Sequence, residues 1–204
     1  MKKALLHRLT ALILTVSLCL SASLILSSCS GKSNYVRFDV KDYGSFVVEL
    51  YPDVAPITVE NFKSLVSKGF YDGLTIHRVM KDFMIQGGDP EGTGRGGSDT
   101  KIKGEFLANG FNNRLPHTEG VISMARSTYN SASSQFFIVT ETSDKNSRSL
   151  DGYYAAFGKV ISGMDVVKAI AACNVMYNDF GEESKPAVTV RIERVSFCDK
   201  NGNS

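Results

Sequence analysis

Apolar and polar residues alternate along NYVRFDV (34–40) and again along SFVVELYP (45–52). A Lys41-Asp42-Tyr43-Gly44 turn stands between them, and a period of two on both sides of a glycine-containing turn predicts a β-hairpin. The period then changes. In ITVENFKSLVSKG (57–69), Phe62, Leu65 and Val66 recur at helical spacing, with Pro56, Thr58 and Asn61 at its start and Gly69 at its end. This predicts a helix that Thr58 and Asn61 can cap and Gly69 stops. Short strand-like runs follow: TIHRVM, FMIQ, GVISMA, QFFIVT, YAAFGKV and AVTVRIERVSF, with a second helical stretch, GMDVVKAIAAC, between the last two. Many short strands, glycine-rich connections and two helices predict a mainly β fold, a closed or sandwiched sheet capped by helices. Residues 88–104 form the one long loop between these elements.

The first residues belong to a different pattern. A basic MKKALLHRL leads into the apolar TALILTVSLCLSASLILSSC, the charged and hydrophobic regions of an export signal. Leu26, Ser27, Ser28 and Cys29 resemble the lipobox of bacterial lipoproteins, in which small residues precede a cysteine that takes a diacylglyceryl group. The expected organisation is a signal peptide over 1–28, lipidated Cys29 and a short tether through 34, a domain over 35–200, and a tail over 201–204. The alternative is an uncleaved anchor, since Leu9 to Leu26 is nearly long enough to span a bilayer. On the first reading the protein is extracytoplasmic and held on a membrane by its lipid. The tether SGKSN reaches only about 17 Å when extended, so the domain sits close to that surface.

Charge and cysteine content narrow the function. The full chain carries +2, but without Lys2, Lys3 and Arg8 there are 20 basic residues against 21 acidic ones, a net −1 that does not seek nucleic acid. The roughly 170 residues after the anchor suffice for one domain, expected as a monomer. Cys173 and Cys198 remain in a compartment that permits a disulfide, and the alternative is two small buried hydrophobes. His7, His77 and His117 are scattered and the cysteine spacing has no ligand character, so no metal or other cofactor is expected. Gly92, Gly94 and Gly97 match G-x-G-x-x-G, but polar SDTKIKG follows instead of a helix, which excludes a dinucleotide fingerprint.

The stretch HRVMKDFMIQGGDP (77–90) sets an arginine and a glutamine among side chains that otherwise suit a core. A three-residue turn over Lys81, Asp82 and Phe83 places Arg78 opposite Gln86 and Met80 opposite Met84, whereas a two-residue turn sets Arg78 opposite Ile85. The three-residue register pairs the polar groups, and a one-residue slip exchanges the faces of the strand. It puts Arg78, Gln86 and Met84 on one face, with Phe83 curling beside them from the turn.

Taken with GVISMARSTYNSASSQFFIVT and LDGYYAAFGKV, this stretch resembles the three signature blocks of the cyclophilins, the peptidyl-prolyl cis-trans isomerases, and ENFKSLVSKGFYDG resembles their first helix. The resemblance runs from about Tyr35 to Phe197 and implies a closed eight-stranded antiparallel barrel capped by two helices. It also implies roles. Arg78 matches the catalytic arginine and Gln86 the amide that orients it, while Phe83, Met84, Phe137 and Leu150 match the walls of the proline pocket. Ala125 and Arg126 match positions whose backbone lies beside the peptide preceding proline. Gln135 matches another polar lining residue, and Tyr154 stands where many members have histidine or tyrosine. The substrates implied are proline-containing unfolded or exported polypeptides.

One position departs from the pattern. Many cyclophilins have tryptophan before the Leu-Asp-Gly of the third block, and this chain has Ser149 and no tryptophan at all. Cyclosporin-binding members use that indole, so weak drug binding is expected. Two rival functions fit parts of the chain: a proline-peptide-binding chaperone or scaffold without turnover, and a transporter's solute-binding lipoprotein. Intact Arg78 and Gln86 speak against the first, and the short chain against the second.

Overall fold

The computed structural model describes residues 33–204. The expected export signal and Cys29 lie outside them. Eight strands close an antiparallel barrel: β1 (Tyr35–Val40), β2 (Gly44–Leu50), β3 (Thr75–Met80), β4 (Met84–Gly87), β5 (Val121–Met124), β6 (Phe136–Val139), β7 (Ala156–Ser162) and β10 (Val190–Cys198). Their order round the wall is β1-β10-β3-β4-β6-β5-β7-β2, with β2 returning to β1. Two helices pack on it, α1 (Pro56–Ser67) and α2 (Met164–Ala171). The expected mainly β, closed eight-stranded barrel with two helices is the fold observed.

The lumen is filled by the inward half of each strand's alternation. Val36, Phe38 and Val40 point inward from β1, and Phe38 stacks on Phe46 of β2 with centroids 4.7 Å apart. Phe62 of α1 meets Phe136 edge-on at 6.1 Å and Phe157 at 5.2 Å, so α1 is held by aromatic burial. Strands β5 and β6 are buried at every position, because loops cover their outer face as the lumen covers the inner. That is why VISM and FFIV read as continuous apolar runs.

The ends of α1 repay comparison with their sequence. Its C-terminus closes as expected: Gly69 at φ +64 donates to the Val66 carbonyl and Phe70 donates to Leu65, a Schellman arrangement that needs a left-handed residue. The N-terminus does not. Ala55 is the N-cap, Pro56 opens the helix and no side chain of the helix caps it. Glu105, from a distant loop, accepts from the Ile57 and Thr58 backbone N–H groups at 3.0 and 2.7 Å and from the Thr58 hydroxyl at 2.7 Å. Asn61 donates instead to the Ser133 carbonyl. Thr58 and Asn61 therefore fasten the helix to loops, and a buried carboxylate does the capping.

A second departure is an extra two-stranded sheet, β8 (Val175–Tyr177) with β9 (Glu183–Pro186), beyond the eight strands expected. Residues 201–204, read from the sequence as a tail, fold back in part: Gly202 is buried and its carbonyl accepts from Arg37 at 3.2 Å. Cys173 and Cys198 are free thiols, the first half-buried and the second buried.

Candidate active site

The position of the site follows from one irregularity in β3. Ile76 pairs with Gly87 and Arg78 with Gln86, so two residues of β3 oppose one step of β4 and His77 is the extra one, a β-bulge. Ile76 faces the lumen. Without the bulge Arg78 shares that face, two residues on; with it, Arg78 and Met80 turn outward and Val79 returns to the core. On β4 the parity is kept, Ile85 inward and Met84 outward, so Arg78, Gln86 and Met84 share the outer wall. The register matches the one expected, Arg78 opposite Gln86 and Met80 opposite Met84, and Asp82 supplies the left-handed turn residue at φ 56.

The outer faces of β4 and β6 then build a separate apolar cluster. Met84, Phe137 and Val139 are its buried members, and Met80, Phe83, Ala125, Leu150 and Tyr154 pack against them with part of their surface open. Phe137 meets Tyr154 edge-on at 5.8 Å and stacks on His117 at 5.9 Å. Arg126 donates to the Tyr153 carbonyl at 2.7 and 2.9 Å, and its guanidinium lies 4.4 Å above the Tyr154 ring, which fixes that wall. A cleft of about 800 Å³ opens here. Arg78, Phe83, Met84, Gln86, Ala125, Arg126, Phe137, Leu150 and Tyr154 all line it. Gln135 instead stands behind the wall, where it accepts from Gln86 Nε2 at 2.8 Å and donates to the Gly96 carbonyl at 2.7 Å.

Gln86 is thereby oriented from behind. With its nitrogen committed to Gln135, its Oε1 faces Arg78 and accepts from Nη1 at 3.1 Å. A further partner was not legible in the sequence. Glu182, at the end of the β8–β9 turn, accepts from Arg78 Nε at 2.6 Å and Nη2 at 2.7 Å. The hydrogen bond from Arg78 pulls the Glu182 carboxyl down to about 2 against the opposing effect of its burial.

Two histidines also support the site. His117 is fully buried, with Nδ1 3.0 Å from Asp151 and Nε2 3.0 Å from Ser123, and desolvation lowers its pKa more than Asp151 raises it. It forms the rigid backing of Phe137. His77, at the bulge, borders the cleft, and desolvation lowers its pKa too. The glycine-rich loop is built around Asp89, whose carboxylate accepts backbone N–H bonds from Glu91, Thr93, Gly94 and Gly96. Its glycines serve a tight turn beside the cleft, and no helix follows them.

Comparison with known proteins places this arrangement. Residues 35–197 match the family model described as cyclophilin type peptidyl-prolyl cis-trans isomerase/CLD. A peptidyl-prolyl cis-trans isomerase-like 1 from Rhizopus delemar is 47% identical over 67% of this chain and 79% of its own length. Peptidyl-prolyl cis-trans isomerase B from Bacillus subtilis is 44% identical over 68% of this chain and 92% of its own. A crystal structure of a Cryptosporidium parvum cyclophilin type isomerase in the presence of the dipeptide Ala-Pro superposes with a TM-score of 0.70 at 29% identity, covering 81% of this chain and 99% of that one. With the family model spanning nearly all the described residues and relatives this similar, the chain belongs to the cyclophilin-type peptidyl-prolyl cis-trans isomerases.

Proposed function

We propose that this isomerase acts on X-Pro bonds of exported or envelope polypeptides, from the outer side of a membrane to which lipidated Cys29 ties it. The export signal and the lipobox-like Leu26-Ser27-Ser28-Cys29 support that setting, since two acyl chains give the stable anchoring that one does not. Residues 1–28 are then a signal peptide and 29–34 a tether, so the enzyme meets its substrates as they emerge unfolded near the surface.

The catalytic reading rests on one observation, the Arg78–Gln86 pair at 3.1 Å bordering an apolar pocket. Rotation of an amide is opposed by about 18–20 kcal/mol, because the nitrogen shares its lone pair with the carbonyl. An X-Pro bond therefore takes about tens to hundreds of seconds to exchange unaided. Halfway round, the conjugation is lost and the proline nitrogen carries a localised lone pair. Arg78 donates to it. Its guanidinium has only donors, and Gln86 orients it. Phe83, Met84, Phe137, Leu150 and Tyr154 hold the ring out of water, so the donor acts where the local dielectric is low. Ala125 and Arg126 offer the edge along which the preceding peptide lies. Because the nitrogen becomes a good acceptor only during rotation, the hydrogen bond favours the transition state over either ground state. No bond is made or broken, and no nucleophile, acid or base is needed.

The test is a cis-to-trans rate assay of the full chain in detergent on proline peptides with varied preceding residues. Arg78→Ala should lower kcat/KM about 100- to 1,000-fold, the scale of losing one preorganised donor, with the thermal transition nearly unchanged. A variant at wild-type turnover overturns the mechanism. Cys29→Ala should release the protein from membranes in fractionation, and a wild type of unprocessed full-length mobility overturns the lipoprotein reading.

A further inference from the structure

We propose that Glu182 is a positioning residue of this isomerase: it holds one edge of the Arg78 guanidinium so that the opposite edge stays aimed at the proline site. The inference rests on the reading of Arg78 as the donor to proline nitrogen. A guanidinium has five N–H donors in a rigid plane. Glu182 takes the Nε hydrogen and one on Nη2, at 2.6 and 2.7 Å, and Gln86 takes one on Nη1 at 3.1 Å. One hydrogen on Nη1 and one on Nη2 remain for the far end of the fork. Their neighbours are sulfurs, Met80 Sδ at 2.8 Å from Nη2 and Met84 Sδ at 4.0 Å from Nη1.

The distribution of acceptors is the point. Strong ones, a carboxylate and an amide oxygen, occupy the hydrogens that only fix the plane. Weak ones, two thioethers, occupy those that face the apolar cluster to which Met80 and Met84 belong. An incoming nitrogen lone pair displaces a sulfur at little cost, whereas it could not displace a carboxylate. The clamp is itself rigid. Asn178 Oδ1 accepts from the backbone N–H of Phe180 and of Glu182 at 2.9 and 3.0 Å, and its own N–H donates to the Glu182 carbonyl at 2.8 Å. From the glycine-rich loop, Arg95 lies 4.5 Å over the Phe180 ring and braces the tip of the turn. Without Glu182, a long side chain held by Gln86 alone wanders from its productive direction, and small misplacements cost rate steeply.

A carboxylate beside the donor also weakens the positive field at the pocket. If that outweighed aiming, removing Glu182 would accelerate the enzyme, so the sign of the change decides. The full chain in detergent is assayed as wild type, Glu182→Ala, Glu182→Gln, Arg78→Ala and, as a neighbouring charge control, exposed Glu183→Gln. Glu182→Ala should lower kcat about tenfold with KM within about twofold, because the aimed contact forms only during rotation. Glu182→Gln, which keeps one acceptor oxygen, should recover to about threefold below wild type. The Arg78 Nε–H resonance should exchange slowly with water in wild type and in Glu182→Gln, and rapidly in Glu182→Ala. Glu183→Gln should match wild type. If Arg78→Ala retains turnover, the donor reading itself falls; if Arg78→Ala is inactive while Glu182→Ala keeps or gains turnover, positioning by Glu182 is overturned. Should Glu182→Ala not fold, Glu182→Gln decides alone: a threefold loss supports the proposal, and an unchanged or faster enzyme overturns it.

Discussion

Strand β6 presents two apolar surfaces of nearly equal burial and different purpose. Phe136 and Ile138 point into the lumen, where Phe136 meets Phe38, Phe62 and Tyr71 within a closed aromatic cluster. Phe137 and Val139 point outward, where with Met84 they form a cluster edged by the only partly covered Met80, Phe83, Ala125, Leu150 and Tyr154. Inside, every ring is satisfied by another ring of the same chain. Outside, the wall lacks its last partner, and an oriented guanidinium stands at the edge of the gap. The difference shows that apolar residues on one strand can be core and recognition surface at once, separated by the two-residue period of the sheet.

The contrast can be broken most forcefully from the inside. Phe136→Ala should destabilise the fold by about 3–5 kcal/mol, the usual cost of deleting a packed aromatic ring. Phe137→Ala should cost less, because its neighbours Phe83, Leu150 and Tyr154 are partly open and water can fill the gap, and should in addition lower kcat/KM on proline peptides about tenfold. Chemical denaturation and the isomerase assay, run on both variants, check the pair; equal stability losses would erase the distinction drawn between the two faces.

A smaller change sharpens the outer face by adding to it. Ser149 is exposed, and its hydroxyl donates to the Asn146 carbonyl. It offers neither an indole N–H nor flat apolar area. Cyclosporin inhibition should therefore be weak in wild type, and Ser149→Trp should strengthen it about ten- to a hundredfold. Nanomolar inhibition of wild type, or no gain in the variant, contradicts this account. Proline turnover should be similar in both.

The smallest effect concerns acid. The Glu182 carboxyl, at about 2 in the fold against 4.5 when free, contributes to stability fully above 4.5 and loses that contribution as pH falls toward 2. Both partners are about one-third exposed, so solvent keeps the contribution modest. A carboxyl carbon titration should find Glu182 near 2 in wild type and back toward 4.5 in Arg78→Ala. An unmoved titration in the variant means that Arg78 does not hold this group.

The alignment of Arg78 with Gln86 was legible because it obeys local rules: the turn over Lys81, Asp82 and Phe83 and the pairing of two polar groups sufficed. Phe137, Leu150 and Tyr154 were legible only through the resemblance to the cyclophilin blocks, since they reach the wall from elements distant in the chain. The hairpin of β8 and β9 was not legible, since of its strand residues only Ser184 and Pro186 are buried, and the stretch lacks an apolar alternation. Asn178 and Gly181 were its turn signals. Its contact with the site was beyond sequence reasoning in any case, because Arg78 and Glu182 lie 104 residues apart. Distance in the chain likewise hid Glu105 at the start of α1, so Thr58 and Asn61 looked like the natural caps. His117 passed as one scattered histidine, although its stacking under Phe137 makes it part of the pocket's frame. The bulge in β3 did leave a trace: its buried residues, Ile76 and Val79, are three apart where a regular strand spaces them by two.

That extra residue works as a phase shift. Up to Ile76 the strand keeps time with the lumen, and after His77 it runs half a period late, so the side chain that would have been sealed among rings arrives at the cleft with its charge intact. A barrel of the same composition in perfect phase would have a wall without a guanidinium and an interior with one it could not tolerate. The frame and the chemistry therefore depend on a single out-of-step position, which ties any insertion or deletion between Thr75 and Val79 to both of them together.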